Sequence, residues 1–151
     1  MKAPEFSLQD QNNITHRLQD YRGRWVIVYF YPKDATPGCT KEACSFRDGR
    51  ELLENAGAVV LGISKDTVTS HKKFADKHHL NFTLLSDTST ETIQAYGAWG
   101  KKKFMGKEYE GIKRNTYLIS PDGTIVKTYE NVNPATHIGE VLRDVQAVNH
   151  A

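Results

Sequence analysis

The sequence predicts an α/β fold in which a central mixed β-sheet is flanked by helices. Three observations predict it. Two continuous apolar runs, WVIVYFY at 25–31 and AVVLGIS at 58–64, are rich in β-branched and aromatic residues and suit strands buried on both faces. A helical stretch between them makes a βαβ unit, whose crossover is almost always right-handed. Near the end, two more strand-like runs and an amphipathic helix form a ββα unit.

Each element has its own signals. In 6–22, turn-like residues at 10–13 separate two short segments and predict an N-terminal β-hairpin extension. The helix over 40–55 carries Ala43, Phe46, Leu52 and Leu53 on one face, and Asn55, Ala56 and Gly57 supply its stop. A second helix is expected over 67–79, with Val68 and Phe74 inward, and FTLLS at 82–86 reads as a strand. Thr88 to Glu91 fit a capping box, so a short helix should run to about Tyr96. Residues 97–111 are rich in glycine and lysine without a clear period and read as a loop, in which Lys101, Lys102 and Lys103 are solvated. NTYLIS at 115–120 and TIVKTYE at 124–130 flank Pro121, Asp122 and Gly123 and predict an antiparallel hairpin. The last helix has Asn133 as cap, Pro134 at its first position, and Ile138, Val141, Leu142, Val145 and Val148 along one stripe.

At 151 residues the chain is expected to be a single domain spanning 1–151, large enough to bury a core without disulfide staples. Charged residues make up 25% and hydrophobic ones 38%, a soluble globular balance. A formal charge of +2 argues against nucleic acid or an anionic membrane as partner. The longest apolar run is too short to span a bilayer, and the N-terminus lacks an apolar signal core, so the cytoplasm is the expected location. Trp25 and Trp99 read as packing residues, and His71, His78 and His79 as packed or solvated ones.

The chemistry points to YFYPKDATPGCTKEACSF at 29–46, which holds both cysteines, Cys39 and Cys44. Thr36 precedes a proline, so it avoids the helical region and can be the N-cap, with Pro37 first in the helix. Cys39 then falls in the first turn, where backbone N–H groups lack intrahelical partners and the helix dipole favours negative charge on a sulfur. Gly38 lets a small ligand approach its backbone N–H, and Thr36 adds a hydroxyl. Such a pocket suits a peroxide: the sulfur attacks one oxygen while donors receive the charge growing on the other. The resulting sulfenic acid condenses with a second thiol, and Cys44 is the candidate. In an intact helix, residues five apart have Cα atoms roughly 8 to 9 Å apart and point about 140° away from each other. A disulfide needs about 6.8 Å or less. Joining Cys39 to Cys44 therefore requires the first turns to unwind.

Other readings exist for the pair. Two packed structural cysteines conflict with the polar flanks Thr40, Lys41 and Glu42, and a zinc site lacks ligands at the usual spacing. A general thiol–disulfide oxidoreductase would want a C-x-x-C loop, and a non-enzymatic redox sensor would share the chemistry without turnover.

The stretch resembles the peroxiredoxins, and within them the bacterioferritin-comigratory, or Q-type, subgroup. The P-x-x-x-T-x-x-C signature is present as Pro32, Thr36 and Cys39, with the subgroup's second cysteine at Cys44. The likeness continues through YGAWGKKKFMGKEYEGIKRNTYLISPDG at 96–123 and covers nearly the whole chain. The resemblance implies a thioredoxin-like fold, whose element order matches the one read above. It implies a thiol peroxidase acting on hydrogen peroxide and organic hydroperoxides, with Cys39 peroxidatic and Cys44 resolving through an intramolecular disulfide. Thr36 would hydrogen-bond the peroxide, Pro32 would shield the sulfur from water, and Arg114 would support both sulfur and peroxide. From its position alone, Arg114 is an ordinary surface arginine at a strand start. The resemblance further implies no cofactor or metal, thioredoxin as reductant with glutaredoxin as the other candidate, and a monomer or at most a weak dimer.

Overall fold

The computed structural model describes residues 1–149; the last two positions of the expected domain lie outside them. The strands are β1 (Ser7–Asp10), β2 (Thr15–Arg17), β3 (Trp25–Phe30), β4 (Ala58–Ser64), β5 (Thr83–Ser86), β6 (Trp99–Phe104), β7 (Lys107–Ile112), β8 (Thr116–Ile119) and β9 (Ile125–Tyr129). The helices are α1 (Pro37–Asn55), α2 (Val68–His78), α3 (Glu91–Ala95) and α4 (His137–Asn149). Seven strands form one mixed sheet in the order β2-β1-β5-β4-β3-β8-β9. β3, β4 and β5 run parallel, while β1 and β8 join the parallel part antiparallel on either side.

β3 is central and buried on both faces, as its continuous apolar run requires. Ile27 and Tyr29 enter the core that α1, α2 and α4 cover with Phe46, Phe74 and Val141. Val26, Val28 and Phe30 enter the other core, with Ile93 of α3 and Leu18 and Phe6 of the N-terminal segment. Gly49 lets α4 come close to α1, since a Cβ there would stand 3.2 Å from the Ile138 side chain.

Several expectations change. Residues 97–111 are not a loop: β6 and β7 pair as a separate antiparallel hairpin. Met105 (φ 51°) and Gly106 (φ 80°) both take left-handed backbone at its turn. The hairpin stands outside the main sheet, so most of β7 is exposed and no alternating apolar pattern marks it. Lys101 and Lys103 are exposed as expected, but Lys102 is half-buried and its Nζ donates to the Ile112 carbonyl at 2.9 Å. Leu52 and Val148 are exposed rather than on their helices' inner faces, and Val68 is only half-buried. α4 starts at His137, not Pro134; Asn133 instead organises the preceding turn, its side chain accepting from the Ala135 N–H at 2.9 Å. The α3 start also departs from a capping box: Thr90 is left-handed without a side-chain cap, and Asp87 Oδ2 accepts the Ile93 N–H at 2.8 Å.

Candidate active site

The site lies where β3 runs out and α1 begins. Thr36 is the residue before the helix, with extended backbone (φ −85°, ψ 152°), and Pro37 opens it. The Thr36 hydroxyl does not cap the helix; it donates to the Lys33 carbonyl at 2.8 Å. The first helical bond runs from the Thr40 N–H to the Thr36 carbonyl at 2.8 Å. The N–H groups of Gly38 and Cys39 therefore have no acceptor within the helix and remain as donors beside the sulfur.

Cys39 is buried and Cys44 half-buried, and both are free thiols. Just past Cys44, α1 is tied to the end of α2. Arg47 Nη1 donates to the His78 carbonyl at 2.7 Å, and Asn81 Nδ2 donates to the Arg47 carbonyl at 3.2 Å.

Arg114 reaches Cys39 because of strand pairing. β8 is antiparallel to β3, with Thr116 opposite Tyr29, so the residues before β8 meet the end of β3. The Phe30 N–H donates to the Asn115 carbonyl at 2.8 Å and the Val132 N–H to the Arg114 carbonyl at 2.9 Å, fixing the backbone there. The guanidinium then bridges two groups on α1. Its Nη2 donates to Cys39 Sγ at 3.2 Å and its Nη1 to Glu42 Oε1 at 2.8 Å. Gly38 makes room for it: a Cβ at that position would stand 3.2 Å from Arg114 Nη2.

Glu42 is a site residue that reading the sequence missed. It is 1% exposed, and its second oxygen has no hydrogen-bond partner among the described residues. Burial pushes its carboxyl from 4.5 up to about 7, against the pull of Arg114. A signal for it existed in the spacing, since Glu42 shares the helix face of Phe46 and Leu53, both fully buried. For Arg114, burial opposes the charge, but Cys39 and Glu42 together hold the guanidinium above its ordinary range. Burial and then Arg114 lower the Lys102 ammonium, while Cys39 favours its charge, so this lysine shares the site's field.

The structure thus brings Cys39, Gly38 and Arg114 together. Pro32 and Thr36 sit half-buried in the loop that leads to Cys39, and no hydrogen bond joins Thr36 to the sulfur among the described residues. A buried sulfur with unpaired amides and a guanidinium around it is built for a reaction that gathers negative charge. Such a site on a mixed sheet at the start of a helix defines a thiol-based redox enzyme.

Comparison with known proteins agrees. Residues 1–128 match the family model AhpC/TSA, and the chain belongs to that family. It is a peroxiredoxin, a thiol peroxidase of thioredoxin-like fold. Peroxiredoxin Bcp of Bacillus subtilis is 43% identical over 145 residues, covering 96% of this chain and 92% of that protein. Peroxiredoxin Bcp of Escherichia coli is 47% identical over 140 residues, covering 93% and 90%. A solved Xanthomonas campestris bacterioferritin comigratory protein, described for its alkyl peroxide reduction activity, superposes with a TM-score of 0.91 at 35% identity, covering 95% and 92%. Among the described residues, no helix is long and apolar enough to cross a membrane.

Proposed function

We propose that the chain works as one domain that reduces hydrogen peroxide and alkyl hydroperoxides through Cys39, with Cys44 as resolving thiol. The 3.2 Å contact between Arg114 Nη2 and Cys39 Sγ carries this reading. Cys39 attacks the terminal peroxide oxygen as a thiolate; the O–O bond breaks, and the leaving alkoxide or hydroxide takes a proton to give alcohol or water. The N–H groups of Gly38 and Cys39 and the Arg114 guanidinium are the donors available to that leaving oxygen. The Thr36 hydroxyl donates its hydrogen bond to the Lys33 backbone carbonyl and keeps lone pairs to accept from the peroxide O–H. Pro32 shields the sulfur from water.

The sulfenic acid on Cys39 then meets the Cys44 thiol, a disulfide forms and water leaves. The first turns of α1 unwind for this step, because the two thiols are held apart on a regular helix. A dithiol reductant, thioredoxin before glutaredoxin, returns the pair to two thiols, so a reducing compartment such as the cytoplasm suits the cycle. The working form is a monomer.

One equivalent of hydrogen peroxide followed by mass spectrometry tests the scheme. The expected product is one Cys39–Cys44 bond within a chain, and Cys39→Ser should abolish both that bond and peroxide-driven NADPH oxidation through thioredoxin. Full activity in Cys39→Ser sinks the reading. Disulfide exchange with substrate proteins but no peroxide turnover would instead favour a general oxidoreductase.

A further inference from the structure

The loop between β3 and α1 is gripped from behind by groups that the chemistry above does not use. Asp34 stands between Pro32 and Thr36, yet it points inward and is buried at 6% exposure. Its Oδ1 accepts from the Tyr31 hydroxyl at 2.6 Å. Its Oδ2 accepts from Ser70 Oγ at 2.8 Å and faces His71 Nδ1 at 2.7 Å. Its backbone N–H donates to Asp66 Oδ2 at 2.9 Å, and Asp66 is in turn held by Ser64 Oγ at 2.7 Å. Thus the residue at the middle of the loop is fastened to the first turns of α2 and to the end of β4.

His71 has 0% exposure, and its other nitrogen, Nε2, faces the Leu85 carbonyl at 3.0 Å. A carbonyl can only accept, and so can a carboxylate. Nε2 therefore donates to Leu85, and Nδ1 meets both Asp34 and the Tyr31 hydroxyl, which lies 3.3 Å away. Burial and then the Asp34 charge push the Tyr31 hydroxyl well above its ordinary range, which keeps it a donor. Asp34, Asp66 and His71 also have the composition of a cation site, with ligand atoms within 4.8 Å of one another. Their oxygen and nitrogen atoms are instead committed to one another and to Tyr31, Ser64, Ser70 and Leu85.

The loop needs such a hold. Ala35 has φ 64°, a left-handed backbone uncommon for a residue with a Cβ, which persists where surrounding contacts over-determine it. The bend falls directly between the gripped Asp34 and Thr36. We propose that Asp34 and His71 are positioning residues of the peroxidase: a buried carboxylate–imidazole pair that sets the loop so that Pro32 and Thr36 face the peroxide at Cys39. This rests on the reading that Thr36 meets the peroxide.

The test separates peroxide positioning from sulfur reactivity. Asp34→Asn, His71→Gln and His71→Asn are made in a Cys44→Ser background, so that alkylation reports Cys39 alone. Asparagine can place its amide N–H near the Nδ1 position and keep the bond to Asp34; glutamine reaches instead toward Leu85. The expected result is a peroxide rate constant lowered roughly ten- to hundredfold in Asp34→Asn and His71→Gln, with substantial recovery in His71→Asn. Alkylation of Cys39 by iodoacetamide should stay close to wild type in all of them. Ser70→Ala, a milder loss at the same carboxylate, should give a several-fold fall and serves if the other variants fail to fold. Unchanged peroxide rates overturn the proposal, as does a parallel loss of peroxide and iodoacetamide reactivity, which would mark a merely structural pair. Thr36→Val separates the two levels. If it reacts normally with peroxide, the reading beneath fails and takes the inference with it. If it is slow while Asp34→Asn and His71→Gln are normal, the inference alone fails.

Discussion

Replacing Glu42 by glutamine asks whether burial or ion pairing governs the carboxyl behind the reactive sulfur. Burial raises Glu42 to about 7 from the ordinary 4.5 despite the Arg114 contact at 2.8 Å. The folded state therefore holds a proton that the unfolded state has given up across that interval. Stability then falls as pH rises from 4.5 to about 7 and is level on either side. At about 1.4 kcal/mol for each pH unit, the interval amounts to roughly 3 kcal/mol. His137, also buried, is lowered from 6.5 to about 4 and works in the opposite direction over nearly the same range, so a single pH curve would hide both effects. The comparison is therefore a difference: urea unfolding of the parent and of Glu42→Gln, each in a Cys39→Ser, Cys44→Ser background where no thiol titrates. The His137 contribution is common to both and cancels. The parent should lose up to roughly 3 kcal/mol relative to Glu42→Gln as pH rises through the interval. A flat difference refutes the argument. A difference that grows in favour of the parent would show that the Arg114 pair outweighs desolvation.

Further outcomes follow from the same geometry. Arg114→Lys leaves a single ammonium that cannot hold Cys39 Sγ and Glu42 Oε1 in one planar fork, so the peroxide rate constant should fall by about a hundredfold in stopped-flow measurements. Gly38→Ala places a Cβ 3.2 Å from Arg114 Nη2; peroxide reactivity should drop by about tenfold while thermal stability holds, since alanine is the better helix former. Oxidation to the disulfide should speed hydrogen exchange at amides from Gly38 to Arg47, and equal protection in both redox states would contradict unwinding.

The sheet was legible where a strand's own sequence states its environment. β3 and β4 are buried on both faces, and an uninterrupted apolar run says so directly. The opening of α1 was legible because proline fixes where a helix can begin. The β6–β7 hairpin was not, since most of β7 buries little and its pairing depends on a left-handed Met105–Gly106 turn rather than on a pattern. In the site, Cys39 and Gly38 could be argued from local chemistry. Arg114 could not, because its approach is a product of antiparallel register between β3 and β8; only the family resemblance supplied it. Asp34 and His71 were out of reach for a similar reason: their meeting across 37 positions is a property of how α2 packs.

The tie between Arg47 and the end of α2 bears on speed. Contacts at 2.7 and 3.2 Å moor the helix immediately downstream of Cys44, so whatever loosens upstream has a fixed shore to return to. Rewinding onto a standing helix skips nucleation, the slow part of helix growth, and proceeds within about a microsecond. Regaining the peroxide-ready shape would then be far faster than any encounter with a reductant, leaving the tempo of the cycle to collisions between molecules.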